Sequence, residues 1–204
     1  MTFVFCKIPS INILIRKNYM QKIIELSFKE SNLTNIFKNK SNKTLQETIL
    51  ADKYKHLKSQ IEKYYKNFLD LPIGEFLYQL KSSNDIFYKE FLNPYGDLYY
   101  SNFCLKNKED YDVKGVYFYY VKDELKYIGR CKDSMKKRIN AGYGKISAKN
   151  CFKDGQSTNC KINNLVTQYK DDVVLKILVL GDDKEIEKKE KELIKENKPK
   201  WNER

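Results

Sequence analysis

Between residues 44 and 68 apolar side chains recur at intervals of three and four: Leu45, Ile49, Leu50, Tyr54, Leu57, Ile61, Tyr64 and Phe68. That spacing predicts one amphipathic helix of several turns. Thr44-Leu45-Gln46-Glu47 has capping-box spacing at its start, where hydroxyl and carboxylate each satisfy an otherwise orphaned backbone N–H. Pro72 stops the pattern. Shorter helices are predicted over Ile73 to Leu80 and from an Asn84 cap to Leu92, and "NPYG" at 93–96 ends the helical run. From about 112 the period changes to two. "VKGVYFYYV" and "ELKYIG" predict two strands joined by a tight turn at Lys122-Asp123. A short helix then runs from Asp133 or Ser134 to the glycines of "NAGYG", followed by a polar loop over 145–156. Ser157 is expected to cap a helix through Ile162, Leu165, Val166 and Tyr169. "VVLKILVL" at 173–180 predicts a buried strand, and 184–197 a charged helix ended before Pro199. The order predicts an α+β fold: a small antiparallel or mixed three-stranded sheet flanked by helices, preceded by a mainly helical N-terminal region. A boundary near 110 divides the chain into residues 1–110, for target binding or assembly, and 111–204.

Composition narrows the class. The 204 residues are 41% hydrophobic, enough for a core, and carry 39 basic against 27 acidic residues, a net charge of +12. Such a surplus favours a polyanionic partner, nucleic acid ahead of an anionic membrane surface. The apolar stretch "FVFCKIPSINILI" at 3–15 is broken by Lys7 and Pro9 and has no cleavage signature, so it reads as a strand or packed arm, with no membrane association. Met20 is an alternative start. Five cysteines with no CxxC pair, and His56 as the one histidine, argue for reduced thiols in the cytoplasm and against a zinc site.

The chemistry concentrates after residue 112. Tyr117 and Tyr127 stand one on each predicted strand, placed to serve one ligand in a short hairpin. Arg130 follows, then Arg138 on the next helix, Glu190 on the last helix and Asn202 in "NKPKWN". Two phenols, a guanidinium, a carboxylate and an amide make a phosphate-handling set. One carboxylate suits Mg²⁺, which keeps several waters and takes phosphate oxygens as further ligands. Singly these residues say little; Glu190 lies in a run with Glu185, Glu187, Glu192 and Glu196, and a charged helix face is usually only solvated.

Gly115-Val116-Tyr117 with Tyr127-Ile128-Gly129 resembles the paired signature of the GIY-YIG nuclease family, and Glu190 to Asn202 is similar to that family in order and spacing. The resemblance covers about 113–204. It implies a metal-dependent DNA endonuclease of restriction or homing type, with a DNA-repair nickase or a non-catalytic nucleic-acid-binding module as alternatives. One active site cuts one strand, so a double-strand break needs a homodimer or two nicks. By the same resemblance Tyr117 activates water, Tyr127 holds the phosphate or that water, and Arg138 stabilises the transition state. Glu190 holds Mg²⁺ or Mn²⁺, and Asn202 braces the site. A free phenol ionises near ~10, so nearby cations must favour the Tyr117 phenolate, or it acts through a water the metal has polarised.

Two departures stand out. The gap from Gly129 to Arg138 is one residue longer than the family's, which leaves Arg130 and Lys137 as rival cations. The family's Tyr or His one turn past the arginine falls here on Gly142, with Tyr143 one step late. The stretch 145–163 is an insertion relative to the minimal module. Lys145, Lys149, Lys153 and Lys161 on it, with Arg130, are candidate nucleic-acid contacts. Residues 111–204 are expected to fold alone.

Overall fold

The computed structural model describes residues 21–202, so the apolar stretch at 3–15 lies outside the described residues. The fold is mixed α+β. β1 (Gln21–Ile24) and β2 (Leu26–Leu33) come first, then α1 (Leu45–Ile49), α2 (Lys58–Tyr64), α3 (Ile73–Ser82) and β3 (Tyr100–Leu105). β4 (Gly115–Val121), β5 (Glu124–Cys131), a π-helix (Lys136–Tyr143), α4 (Ala148–Cys151), α5 (Ser157–Gln168), β6 (Val173–Val179) and α6 (Asp183–Asn197) complete it.

The Thr44 capping box forms as expected, with Thr44 N–H donating to Glu47 Oε2 at 2.9 Å and Glu47 N–H to Thr44 Oγ1 at 3.1 Å. The single long helix does not. α1 stops at Ile49, and α2 resumes at Lys58 after a 3₁₀ turn over Lys55–Leu57. Ile49 to Tyr54 is a step of five, which in a continuous helix swings Tyr54 roughly 140° off the apolar face. Breaking the helix lets both point inward; both are buried, while Leu50 is left 62% exposed. The predicted helix from Asn84 is a 3₁₀ segment, Ile86–Phe91, capped by Asp85, whose carboxylate accepts from Phe87 N–H. α5 begins at Ser157 itself, with Gln156 as its cap.

The main sheet has four strands, not the expected three, in the order β1-β6-β4-β5, all antiparallel. The extra strand is β1, whose four residues pair with Leu175 to Leu178 of β6. β2 and β3 form a second, two-stranded sheet. The β4–β5 turn falls on Lys122 and Asp123, both at positive φ (48° and 64°), the twist that a two-residue hairpin loop favours. Alternation splits the main sheet into two faces. Val116, Phe118, Ile128 and Leu178 pack against Ile186 and Leu193 of α6. Tyr117, Tyr119, Tyr127, Leu175 and Ile177 pack against the π-helix and α5 through Ile139, Tyr143, Ile162 and Val166.

A separate core gathers α1, α2 and α3 around Phe37, Phe76 and Phe91, and it includes Ile146, Cys151, Phe152 and Cys160 from beyond residue 110. The insertion is therefore no free loop. Phe152 pairs with Leu92 in a β-bridge, and Asn93 N–H donates to the Cys151 carbonyl at 2.9 Å. Asn93 Nδ2 donates to the Asn150 carbonyl at 2.7 Å, and the Tyr54 hydroxyl to Asp154 Oδ1 at 3.0 Å. Both sheet and core cross the boundary near 110.

That crossing sets an expectation opposite to the one drawn from sequence. A fragment spanning 111–204 lacks β1 and leaves Phe152 and Cys151 without their packing partners, so it should show no cooperative thermal transition by circular dichroism where the full chain does. Phe152→Ala in the full chain should cost about 3–5 kcal/mol in urea unfolding. A cooperative melt from the fragment would show that residues 111–204 stand alone.

Candidate active site

Tyr117 and Tyr127 reach the same side of the sheet by an indirect route. The register shifts between Tyr119 and Tyr120, so Tyr119 faces Tyr127 and Tyr117 faces Gly129. The Tyr117 ring lies across that glycine: a Cβ on residue 129 would stand 2.4 Å from the Tyr117 hydroxyl. Gly115 answers a different need, holding φ at 145°, a conformation that side chains resist. Both glycines of the signature thus have specific physical causes.

The helix that carries Arg138 bears on the step from Arg138 to Tyr143, and leaves the length of the Gly129–Arg138 gap as it stands. It is a π-helix, with Gly144 N–H donating to the Ile139 carbonyl five residues back at 2.6 Å. In this geometry the residue one turn beyond Arg138 is Tyr143, not Gly142. The guanidinium carbon of Arg138 lies 6.0 Å from the centre of the Tyr143 ring. Asn163 on α5 fixes this turn. Its Nδ2 donates to the carbonyls of Tyr143 at 2.6 Å and Ser101 at 2.8 Å, and its Oδ1 accepts from Ser101 N–H at 3.0 Å. Sequence reasoning missed Asn163; the available signal was an amide next to Ile162 within the helix pattern, and its full burial is known only from the fold.

Three phenols converge. The Tyr143 hydroxyl lies 2.9 Å from that of Tyr117 and 3.2 Å from that of Tyr127. Tyr117, Tyr127, Arg130, Arg138, Tyr143 and Glu190 line one cavity of about 460 Å³, together with Gln156 to Asn159 at the start of α5. In the sequence this stretch shows as an amide-rich helix start expected at Ser157, of the kind that suits phosphate contact. Arg130 Nη1 donates to Glu190 Oε2 at 2.8 Å, whereas Arg138 has no carboxylate partner among the described residues. Asn202 stays behind the strand: its Nδ2 donates to the Ile128 carbonyl and its Oδ1 accepts from Ile128 N–H, both at 2.8 Å. The amide thus acts as one residue of a further strand against the β5 edge, between Tyr127 and Gly129.

Of the insertion lysines, Lys145 and Lys149 line an adjoining cleft of about 930 Å³ that shares Arg130 and Arg138 with the first cavity. Lys153 and Lys161 are not brought there. Burial of Phe152 turns Lys153 towards Glu90, at 3.2 Å, and the phase of α5 sets Lys161 over the Tyr95 ring, at 5.7 Å. Lys137 lies on the cleft wall, 3.8 Å from Asp133.

Burial, and then the neighbouring phenols of Tyr143 and Tyr127, push the Tyr117 hydroxyl well above the ordinary phenol range, against the pull of Arg138. Burial likewise raises Tyr127 and Tyr119, and the Tyr119 hydroxyl is buried without a hydrogen-bond partner. Burial thus favours the neutral form of Tyr117, which speaks against the phenolate, one of the two routes the sequence left open, and for the other, action through a polarised water. Burial raises Glu190 while Arg130 pulls it down. Glu187, exposed one turn earlier, is held down to about 2 by Lys132 and Lys191.

For a divalent metal the donor set is sparse. No group of three or more His, Cys, Asp or Glu side chains gathers among the described residues. Glu190 offers one carboxylate facing an open cavity, which fits a hard cation that completes its shell with water and phosphate oxygens. Among the described residues no helix is long and apolar enough to cross a membrane. Comparison with protein-family models, with curated proteins and with solved structures returns no match.

Because burial raises Tyr117, Tyr119 and Tyr127 above the ordinary phenol value of ~10, the unfolded chain releases protons first as pH rises. The stability they contribute is complete below that pH and is lost above it. Urea midpoints should fall steeply from pH 9 to 11 (values about the free phenol pKa), and Tyr117→Phe should flatten the fall. A midpoint flat across that window would mean that the phenols titrate normally in the folded chain.

Proposed function

We propose that the chain is a divalent-cation-dependent DNA endonuclease of the GIY-YIG type, hydrolysing phosphodiester bonds. The observation that carries the reading is the meeting of three phenols with Arg138 and Glu190 around one open cavity. Core packing accounts for the phenols meeting, but not for Arg138 and Glu190, 52 residues apart in sequence, lining the same open cavity as their hydroxyls.

In this reading the scissile phosphate enters beside Arg138, whose unpaired guanidinium neutralises the charge that builds on the phosphoryl oxygens. Tyr117 orients the attacking water. As it takes that water's proton it passes its own to Tyr143, which releases its own to solvent in the open cavity that both hydroxyls line, so each phenol ends neutral. Shuttling along neutral phenols replaces the standing phenolate, which burial disfavours. Tyr127, at the other end of the chain, positions the same water or a phosphate oxygen. Glu190 would hold the cation, which when bound supplies Lewis-acid stabilisation of the phosphate. Arg130, now paired with Glu190, would have to give up that carboxylate. Asn202 keeps Tyr127 and Gly129 in register from behind.

On a mixed-sequence plasmid, Glu190→Gln should abolish cleavage while leaving DNA binding largely intact, and EDTA should do the same to the unaltered chain. Arg138→Ala should slow single-turnover cleavage by on the order of 10²-fold or more. Equal cutting with Mg²⁺ and with EDTA would sink the metal mechanism. Loss of rate in Arg130→Ala alone would move the transition-state role to Arg130.

A further inference from the structure

The larger cleft has two walls of different origin. One is the π-helix, carrying Lys137 and Arg138. The other is the insertion, carrying Lys145 and Lys149. Arg130 and Lys132 lie at its base and are engaged by Glu190 and Glu187, and Lys137 by Asp133. Arg138, Lys145 and Lys149 have no carboxylate partner among the described residues and are exposed. The cleft runs into the phenol cavity through Arg130, Arg138, Gln156 and Asn159, which line both. Three cations without a carboxylate partner outnumber Asp154 and Asp183, the carboxylates left on the lining once Asp133 is paired with Lys137. A cleft with that surplus beside the phenol cavity matches a phosphodiester backbone, whose charges repeat at a fixed interval.

Resting on the nuclease reading above, we infer that this cleft binds the DNA backbone next to the scissile phosphate, and that the N-terminal core takes part in substrate binding by holding the insertion wall in place. The wall has no stability of its own. α4 is four residues long, and its flanks are fixed by Asn93, by the Leu92–Phe152 bridge and by the Tyr54–Asp154 hydrogen bond. Those ties all run to residues 54–93. Residues 54–93 therefore act on the substrate at one remove, through the position of Lys145 and Lys149, whether or not they touch DNA themselves.

The test is anisotropy binding of a labelled mixed-sequence duplex to the full chain in EDTA, so that no cleavage intervenes, across about 50–200 mM salt. Lys145→Ala/Lys149→Ala should reduce the slope of log affinity against log salt by about 2. Lys58→Ala/Lys63→Ala on α2, which removes the same charge outside the cleft, should leave the slope near that of the unaltered chain. Asn93→Ala removes no charge, yet should lower both affinity and slope. If circular dichroism finds it unfolded, Tyr54→Phe, which removes only one tie, takes its place with a smaller change in the same direction. Equal slopes for the two lysine pairs would overturn the cleft as the backbone site while leaving DNA as the substrate. Loss of affinity from the lysines but none from either anchor variant would overturn the role of the N-terminal core. An unaltered chain that fails to bind duplex at the lowest salt would overturn the nuclease reading itself, and the cleft with it.

Discussion

The ring of Tyr117 lies across the backbone of Gly129, and from that contact the position of every other group at the site follows. Absence of a side chain at 129 lets the phenol reach over β5, where its hydroxyl meets Tyr143 at 2.9 Å. Tyr143 in turn ties the π-helix to the sheet, and Asn163 ties the same turn to α5 and β3. A buried hydroxyl left unsatisfied costs about 1–3 kcal/mol, whereas a hydrogen-bonded network holds one arrangement. The phenol chain therefore fixes where Arg138 points before any ligand arrives. On the far side Asn202 completes the edge of β5, so the strand that carries Tyr127 and Gly129 is held from both directions.

A second dependence links the two hydrophobic cores. The sheet core and the N-terminal core meet at the segment 145–160, which gives Ile146, Cys151, Phe152 and Cys160 to one and begins the helix that supplies Ile162 and Val166 to the other. A single stretch thus packs inward on two sides and presents its polar residues to the cleft. Small displacements of the N-terminal core are transmitted to the cleft wall because close-packed interiors shift as units and do not deform smoothly.

Much of this was legible in the chain. The hairpin could be read from alternation on either side of Lys122-Asp123, and the Thr44 cap from two residues, because both are local and each has one physical solution. Tyr117, Tyr127, Arg138, Glu190 and Asn202 were named through a family resemblance, which also set Asn202 apart as a brace; that it braces by pairing with the Ile128 backbone was not in the sequence. The break between α1 and α2 was hidden because periodicity records which residues face inward, not whether one axis carries them. β1 was hidden by its length: four residues on a sheet edge make no pattern. The capture of Phe152 by a core formed from residues 37–100 is a long-range fact that no window of sequence contains. The charge on Lys153 and Lys161 was visible, but its direction is set by tertiary packing.

The π-helix has an implication for how such a site can change over time. One added residue in an α-helix ordinarily rotates everything beyond it by about 100°. In the turn after Arg138 the backbone instead winds wide, and Tyr143, five residues on, stands where the fourth would in an α-helix. A turn of this kind can take up or give back one residue while the arginine and the tyrosine stay on the same face. What it holds is their contact, and not a count of the residues between them.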